Sequence, residues 1–308
     1  VAARKRFQLR LDELHNDSST VRLTGQYSQA TGRSIRGKRA PWVTYGRSKD
    51  RRGDLKQLLL NLTTTSDGDV PVHGFCADGN TSDSKTHVET WRSLCGLHGG
   101  PDFLYVADSK LCSQEQMLDI ADEGGRLVTV LPRSRNEDKH FREWIQDNEV
   151  PWEKVWDRPN PRGKRKPRDL WFVYKHPIPS RENWPVIWVF STLLRLHQGR
   201  RRQERITRAV QELQKLKAKV EGPRSRLRSQ PQIEVAAERI LGRFRVRSYI
   251  GAWVAVDLES KFRQDRPGRP GTNTRYRRSI RRKYTLHWEI DEQSIEYDRK
   301  SDGAYPLL

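Results

Sequence analysis

Cysteine is scarce in this chain of 308 residues: there are three, Cys76, Cys95 and Cys112. An odd number with no CxxC spacing excludes a disulfide framework and a structural zinc ribbon, and fits reduced thiols in the cytoplasm. Cys95 falls on the core-facing side of a predicted helix, where a thiol acts as a small hydrophobe. Long apolar runs are missing as well. No window approaches the ~18 consecutive apolar residues of a membrane span, so a membrane partner is not expected. The first residues do not read as a signal peptide, and no internal repeat is visible. His15, His73 and His87 are scattered without zinc-like spacing, "GRPG" lacks the Lys-Ser/Thr ending of a phosphate loop, and Ser18 and Ser109 have no evident histidine base.

Acidic residues are the minority sign, with 59 Lys+Arg against 39 Asp+Glu, a net charge of +20. The imbalance is concentrated. Residues 1–150 hold 22 basic and 21 acidic side chains, so nearly the whole excess falls in 151–308. A charge-balanced first half reads as a globular domain, and the second half as a surface for a polyanion. Aromatic residues lie among the basic ones (Trp171, Tyr249, Tyr276), which favours nucleic acid over a merely solvated face.

The order of elements is informative. "LHNDSSTVRLTG" reads as a strand with Ser19–Leu23 alternating, and Leu58–Thr64 and Val70–Phe75 read as a hairpin turning at Asp67–Gly68. A helix follows, opened by Thr86 with Glu89 in capping-box spacing and closed by "GLHGG". "DFLYVADSKL" is then a buried strand that stops on Asp108. A second helix opens at Ser113 with Gln116, and "RLVTVLP" is a short strand. Strand, hairpin, helix, strand, helix, strand is the order expected of an α/β RNase H-like domain, whose first and fourth strands lie side by side. Here those are the strands of Asp17 and Asp108. A lone aspartate at a strand end is commonly a turn residue; two on adjacent strand ends form a hard-oxygen site suited to Mg²⁺ or Mn²⁺ and to phosphoryl transfer.

From about 133 the pattern changes. "RSRNEDKHFREWIQ" predicts a helix, "RPNPRGKRKPRD" a basic loop and "WPVIWVFST" an apolar strand. Residues 200–221 carry one apolar stripe (Ile206, Val210, Leu213, Leu216, Val220) with arginines and lysines on the other faces, and a returning helix through Ile233–Phe244 predicts a helical hairpin over 200–244. Strands near 245–257, a basic Gly/Pro loop "KFRQDRPGRPGTNTRYRR" and a final hairpin through "YTLHWEID" and "SIEYD" complete the reading.

"LHNDSSTVRLTGQYSQA", "YGRSKDRRGDLKQLLLNLT", "DGDVPVHGFCADGNTSD", "THVETWRSL", "DFLYVADSKLCSQEQM" and "GGRLVTVLPRSR" resemble, in order, blocks of the DDE transposases of bacterial insertion sequences. The similar group carries a long insertion before its last catalytic glutamate, and the resemblance extends through "GRPGTNTRY" to "DGAYPLL". It implies an RNase H-like core over 1–132, a basic α+β insertion domain over 133–300, and the start of a return to the core at 301–308. It also implies metal-dependent DNA cleavage and strand transfer, with Asp17 and Asp108 as the first two catalytic acids and metal ligands. Double-stranded DNA, as transposon ends and target, is the implied partner of a homodimeric, nucleoid-associated complete protein. Lys49, Arg51, Arg52, Lys164, Arg165, Lys166, Arg263, Arg266, Arg269, Arg275, Arg277 and Arg278 are the expected DNA contacts. Lys49 and Asp50 sit in a recurring block without an assigned role.

One feature departs from the family. Its third acid lies in a Tyr-x2-Arg-x3-Glu-x6-Lys helix, and no tyrosine of this chain has Arg three positions later. Glu137, Glu143, Glu289 and Glu296 do not fit the role, so the expectation is a fragment, inactive by itself. The alternatives are a non-catalytic DNA-binding remnant and a Mg²⁺-dependent nuclease of the same fold.

Overall fold

A computed structural model describes residues 6–48, 52–82, 86–160, 163, 167–222 and 225–308. It is a mixed α/β protein with a mixed sheet and six helices in the described residues. Strand β1 (Glu13–Leu23) buries Leu14, Asn16 and Ser18 and exposes His15, Asp17 and Ser19, the period-2 alternation of a strand with one covered face. The short β2 (Ser34–Ile35) and β3 (Lys38–Arg39) pair with each other in the following loop. Strands β4 (Lys56–Thr65) and β5 (Pro71–Ala77) then form the expected hairpin.

Helix α1 (His87–His98) ends at Gly99, whose φ of 98° allows its amide to bond the Cys95 carbonyl; a left-handed cap of this kind favours glycine. Strand β6 (Leu104–Ala107), helix α2 (Gln114–Asp122) and strand β7 (Arg126–Thr129) follow as a βαβ unit. The five strands lie in the order β5-β4-β1-β6-β7, antiparallel at β5–β4–β1 and parallel at β1–β6–β7. Trp91 and Leu94 of α1 and Met117 and Ile120 of α2 pack with Leu14, Phe103 and Tyr105. The helices thus cover one face of the sheet. Neither expected capping box forms: no side-chain bond caps α1 or α2, and the Thr86 hydroxyl accepts from Asn61 instead.

Helix α3 (Asn136–Asp147) packs onto the same core, with Phe141 stacked on Trp188 at 3.6 Å between centroids. Strands β8 (Glu153–Arg158), β9 (Asp169–Lys175) and β10 (Ile187–Ser191), with β13 (Ala304–Leu307), form a second, antiparallel sheet in the order β13-β10-β9-β8. The two sheets join where Thr129 and Leu308 exchange two backbone bonds of 2.9 Å. One hydrophobic cluster therefore runs from Leu11 to Trp188 and takes in Ala304 and Leu308, well past the change of composition at 133.

A second cluster starts at Ile206. Helix α4 (Thr192–Glu221) grows directly from β10, with the Ser191 hydroxyl accepting from the Leu194 amide, and α5 (Gln230–Phe244) returns beside it. Their apolar stripes, Ile206, Leu213, Leu216, Ile233 and Leu241 among them, pack on Val254 and Leu286 at the base of a two-stranded ribbon, β11 (Ile250–Gln264) and β12 (Tyr276–Ile290). The ribbon takes up much of the expected Gly/Pro loop, leaving 265–275 as its turn. The expected final hairpin is overturned: residues Ser294–Asp298 lie in helix α6 (Glu292–Lys300), capped by the Asp291 carboxylate on the Ser294 amide at 3.0 Å. A buried ion pair, Arg202 with Asp302, ties α4 to the segment after α6.

Candidate functional site

The parallel register of β1 and β6 pairs Glu13 with Leu104, His15 with Val106 and Asn16 with Ala107. The ladder ends at that pair, and Asp17 and Asp108 are the next residues along β1 and after β6. Continued by one step, the register would put both on the face opposite to α1 and α2. Leu14, Asn16, Tyr105 and Ala107 are buried on the helix side, whereas Asp17 and Asp108 are both exposed. Around them the open face is only half-covered, with Leu62 of β4 paired to Asp17 and 37% exposed.

Each carboxylate also makes a local bond. Asp17 Oδ1 accepts from the Ser18 amide at 2.7 Å, and Asp108 Oδ1 from the Lys110 amide at 2.9 Å, an Asx-type turn. The Asp108 carbonyl accepts from Thr129 Oγ1 at 2.7 Å, which fixes the end of β6 against β7. Two anionic oxygen donors on one open face suit a hard divalent cation, and Asp17 and Asp108 are the residues that would hold Mg²⁺ or Mn²⁺. Such an ion supplies charge neutralisation and an activated nucleophile in phosphoryl transfer. Among the described residues no group of three or more His, Cys, Asp or Glu side chains gathers as a metal cluster. Glu13 shares the face but bonds His15 Nε2 at 2.7 Å. Glu137 is committed to Arg135 and Glu289 sits in β12, while Glu296 sits in α6.

The basic residues divide into three groups. Lys49, Arg51, Lys164, Arg165 and Lys166 lie outside the described residues. Arg52 is bound through Nε and Nη2 to Asp54, both at 2.8 Å, so its charge is offset locally. Arg263, Arg266, Arg269, Arg275, Arg277 and Arg278 come together on the outer part of the β11–β12 ribbon and its turn, all exposed. Residues 256–284 carry ten Lys/Arg against three Asp/Glu. Arg263 and Arg277 are direct cross-strand partners, a like-charge pairing that costs stability. Arg277 has only a 3.7 Å contact with Asp265 to offset it, and Arg278 bonds Ser260 Oγ at 3.0 Å. Both faces of this outer ribbon are exposed. Leu258, Phe262, Tyr276 and Ile280 lie on the same face as Arg278 and Arg282, beyond the reach of α4 and α5.

No protein-family model matches the chain, and no curated protein does.

Two arrangements are invisible in the sequence. Behind Asp17, Asn16 Nδ2 donates to Asn61 Oδ1 at 2.7 Å and Thr63 Oγ1 at 2.9 Å, and Asn61 donates on to Thr86 Oγ1 at 3.2 Å. This buried network locks β1 to β4 and to the start of α1, next to the exposed carboxylate. Its only sequence trace is Asn61, Thr63 and Thr65 at alternate positions of an otherwise leucine-rich strand. On the second sheet, the Arg158 guanidinium lies 5.2 Å from the Trp156 ring and 5.6 Å from Trp171, a cation–π stack on the edge strand β8. Trp156 is 53% exposed there. Tyr249, one of the expected nucleic-acid aromatics, is instead 7% exposed and donates its hydroxyl to Asp298.

Proposed function

We propose that this chain is a DNA-handling part of a DDE transposase, with Asp17 and Asp108 as two of three metal-binding acids and the β11–β12 ribbon as a grip on duplex DNA. The observation that carries the reading is the β1–β6 register, whose last pair, Asn16 with Ala107, directly precedes the two exposed aspartates. The strand order β5-β4-β1-β6-β7, with its antiparallel start and parallel end, supports an RNase H-like fold. So does the position of the α4–ribbon unit, which enters the chain after the strands that carry both acids. A protruding antiparallel ribbon has the width to enter a major groove, and its arginines match the phosphates on either side.

Phosphate contacts of this kind give affinity with little sequence information and a steep salt dependence. The chain should bind duplex DNA tightly at low salt, lose that binding as salt rises, and show no cleavage with Mg²⁺ or Mn²⁺, because no third acid joins the pair among the described residues. Robust cleavage that disappears on Asp17→Ala would overturn the claim that the acid set is incomplete. Salt-independent or absent DNA binding would overturn the reading altogether.

A second reading is a DNA-binding protein without metal chemistry. It is favoured by the Ser18 and Lys110 amide bonds, which give each aspartate a turn role that needs no cation. The two readings separate on Mn²⁺ binding.

A further inference from the structure

A cavity of about 430 Å³ opens where the two hydrophobic clusters meet, between α3, the segment after β7, α4 and α6. Six arginines line it, and they are not equivalent. Arg142 is committed to Asp138 at 2.6 Å and to the Ser301 hydroxyl. Arg202 is 5% exposed, bound to both oxygens of Asp302, and lies 5.8 Å from the Tyr249 ring. These two are built into the fold.

The acids of the wall are engaged as well. Asp302 holds Arg202, Asp298 accepts from Tyr249, and Glu204 pairs with Arg200 at 3.5 Å. That leaves Arg133, Arg201, Arg205 and Arg208, for which no ion pair is found among the described residues. Arg205 Nε bonds only the Arg201 carbonyl, at 3.3 Å. Positions 201, 205 and 208 follow one another at i, i+4 and i+7 along a single face of α4. Like charges at that spacing repel, and among the described residues no ion pair to these four arginines offsets the repulsion.

We propose that this cavity is a phosphate site, in which Arg133, Arg201, Arg205 and Arg208 hold adjacent phosphate groups of a polyphosphate or a phosphodiester chain. Planar guanidinium groups pair two-by-two with phosphate oxygens, which suits four convergent arginines better than any neutral ligand. The bound anion bridges the two clusters, since Arg133 leaves the first and the other three belong to α4 of the second. The site is separate from the ribbon, so it stands or falls independently of DNA binding there.

The test is a calorimetric titration of inorganic triphosphate into the full chain at low ionic strength. Saturable binding is expected, weakened about tenfold or more in Arg201→Gln/Arg205→Gln/Arg208→Gln, because several charge-assisted bonds are lost. In the ribbon variant Arg275→Gln/Arg277→Gln/Arg278→Gln, which lacks the phosphate contacts proposed for the ribbon, the saturable α4 site should remain. Circular dichroism and thermal melting without ligand check that the α4 variant folds. The single variant Arg208→Gln, at an exposed position, should by itself weaken binding a few-fold. A short DNA duplex that displaces triphosphate identifies the ligand as a phosphodiester; triphosphate retained alongside bound duplex identifies a free polyphosphate. No saturable binding, or equal affinity in parent and folded α4 variants, overturns the site.

Discussion

The two clusters of this protein use charge in opposite ways. In the first, charges are folded inward and matched. Arg135, 8% exposed, bonds Glu137 and the buried carboxylate of Glu182 at once, at 2.6 and 2.7 Å, and Arg142 bonds Asp138 at 2.6 Å. In the second, the base of the ribbon is apolar and the outer ribbon holds arginines with little to offset them. A net charge near zero over the first 150 residues and a large excess afterwards is the sequence trace of that division. Paired charges in a low-dielectric interior specify geometry, while exposed unpaired ones cost stability and are available to a polyanion. The open face with Asp17 and Asp108 belongs to the first region by fold; in the proposed function it would depend on the second for contact with DNA.

The largest expected effect lies in the first region. Arg135→Leu would leave Glu137 without its arginine and Glu182 with Arg181 alone, and should cost roughly 3–5 kcal/mol, read from urea unfolding. A loss below about 1 kcal/mol would mean that the matched interior charges are not structural.

Acid acts on the same network. Hydrogen bonding from Arg135 holds Glu137 down at about 2, against an ordinary 4.5. Burial pushes Glu182 up, but bonds from Arg135 and Arg181 outweigh it and hold it at about 2 as well. A folded-state value below the unfolded one contributes stability that is fully present above about 4.5 and lost as pH falls toward 2. Urea midpoints should therefore drop steeply across that window in the parent protein and less steeply in Arg135→Leu. Equal slopes would contradict the assignment.

The second region should behave in the reverse manner. Replacing Arg275, Arg277 and Arg278 together by Gln should leave stability within roughly 0.5 kcal/mol. The same change should lower the slope of log affinity for duplex DNA against log salt by about 3. A ribbon variant that unfolds the protein but leaves that slope intact would erase the contrast between the regions.

Much of this arrangement was legible. The alternation in β1, the apolar run closed by Asp108 and the stripe of α4 are each enforced by burial on one face, and burial is what hydrophobic periodicity reports. Elements without such burial escaped. Strand β8 is an edge strand with Val155 and Trp156 both exposed, and the outer ribbon buries neither face, so no period marked its length. Helix α6 has no fully buried residue, and its one clear signal, Asp291 capping through Ser294, is local and polar. The Asn16–Asn61 network joins residues 45 positions apart and depends on a register that composition does not carry. The arginines of the α4 cavity were visible as a basic helix face, but their convergence with Arg133 depends on how the two clusters meet.

The central claim is that Asp17 and Asp108 act as one metal site. Electron paramagnetic resonance of Mn²⁺ titrated into the DNA-bound chain tests it most directly, in the parent and in Asp17→Asn and Asp108→Asn. Asparagine keeps the amide-accepting oxygen of both turns, so both variants should fold as the parent does. The account predicts a bound Mn²⁺ signal in the parent that is lost equally in either variant. Mn²⁺ binding unchanged in both would reduce the two aspartates to turn residues and leave a protein that holds DNA without metal chemistry.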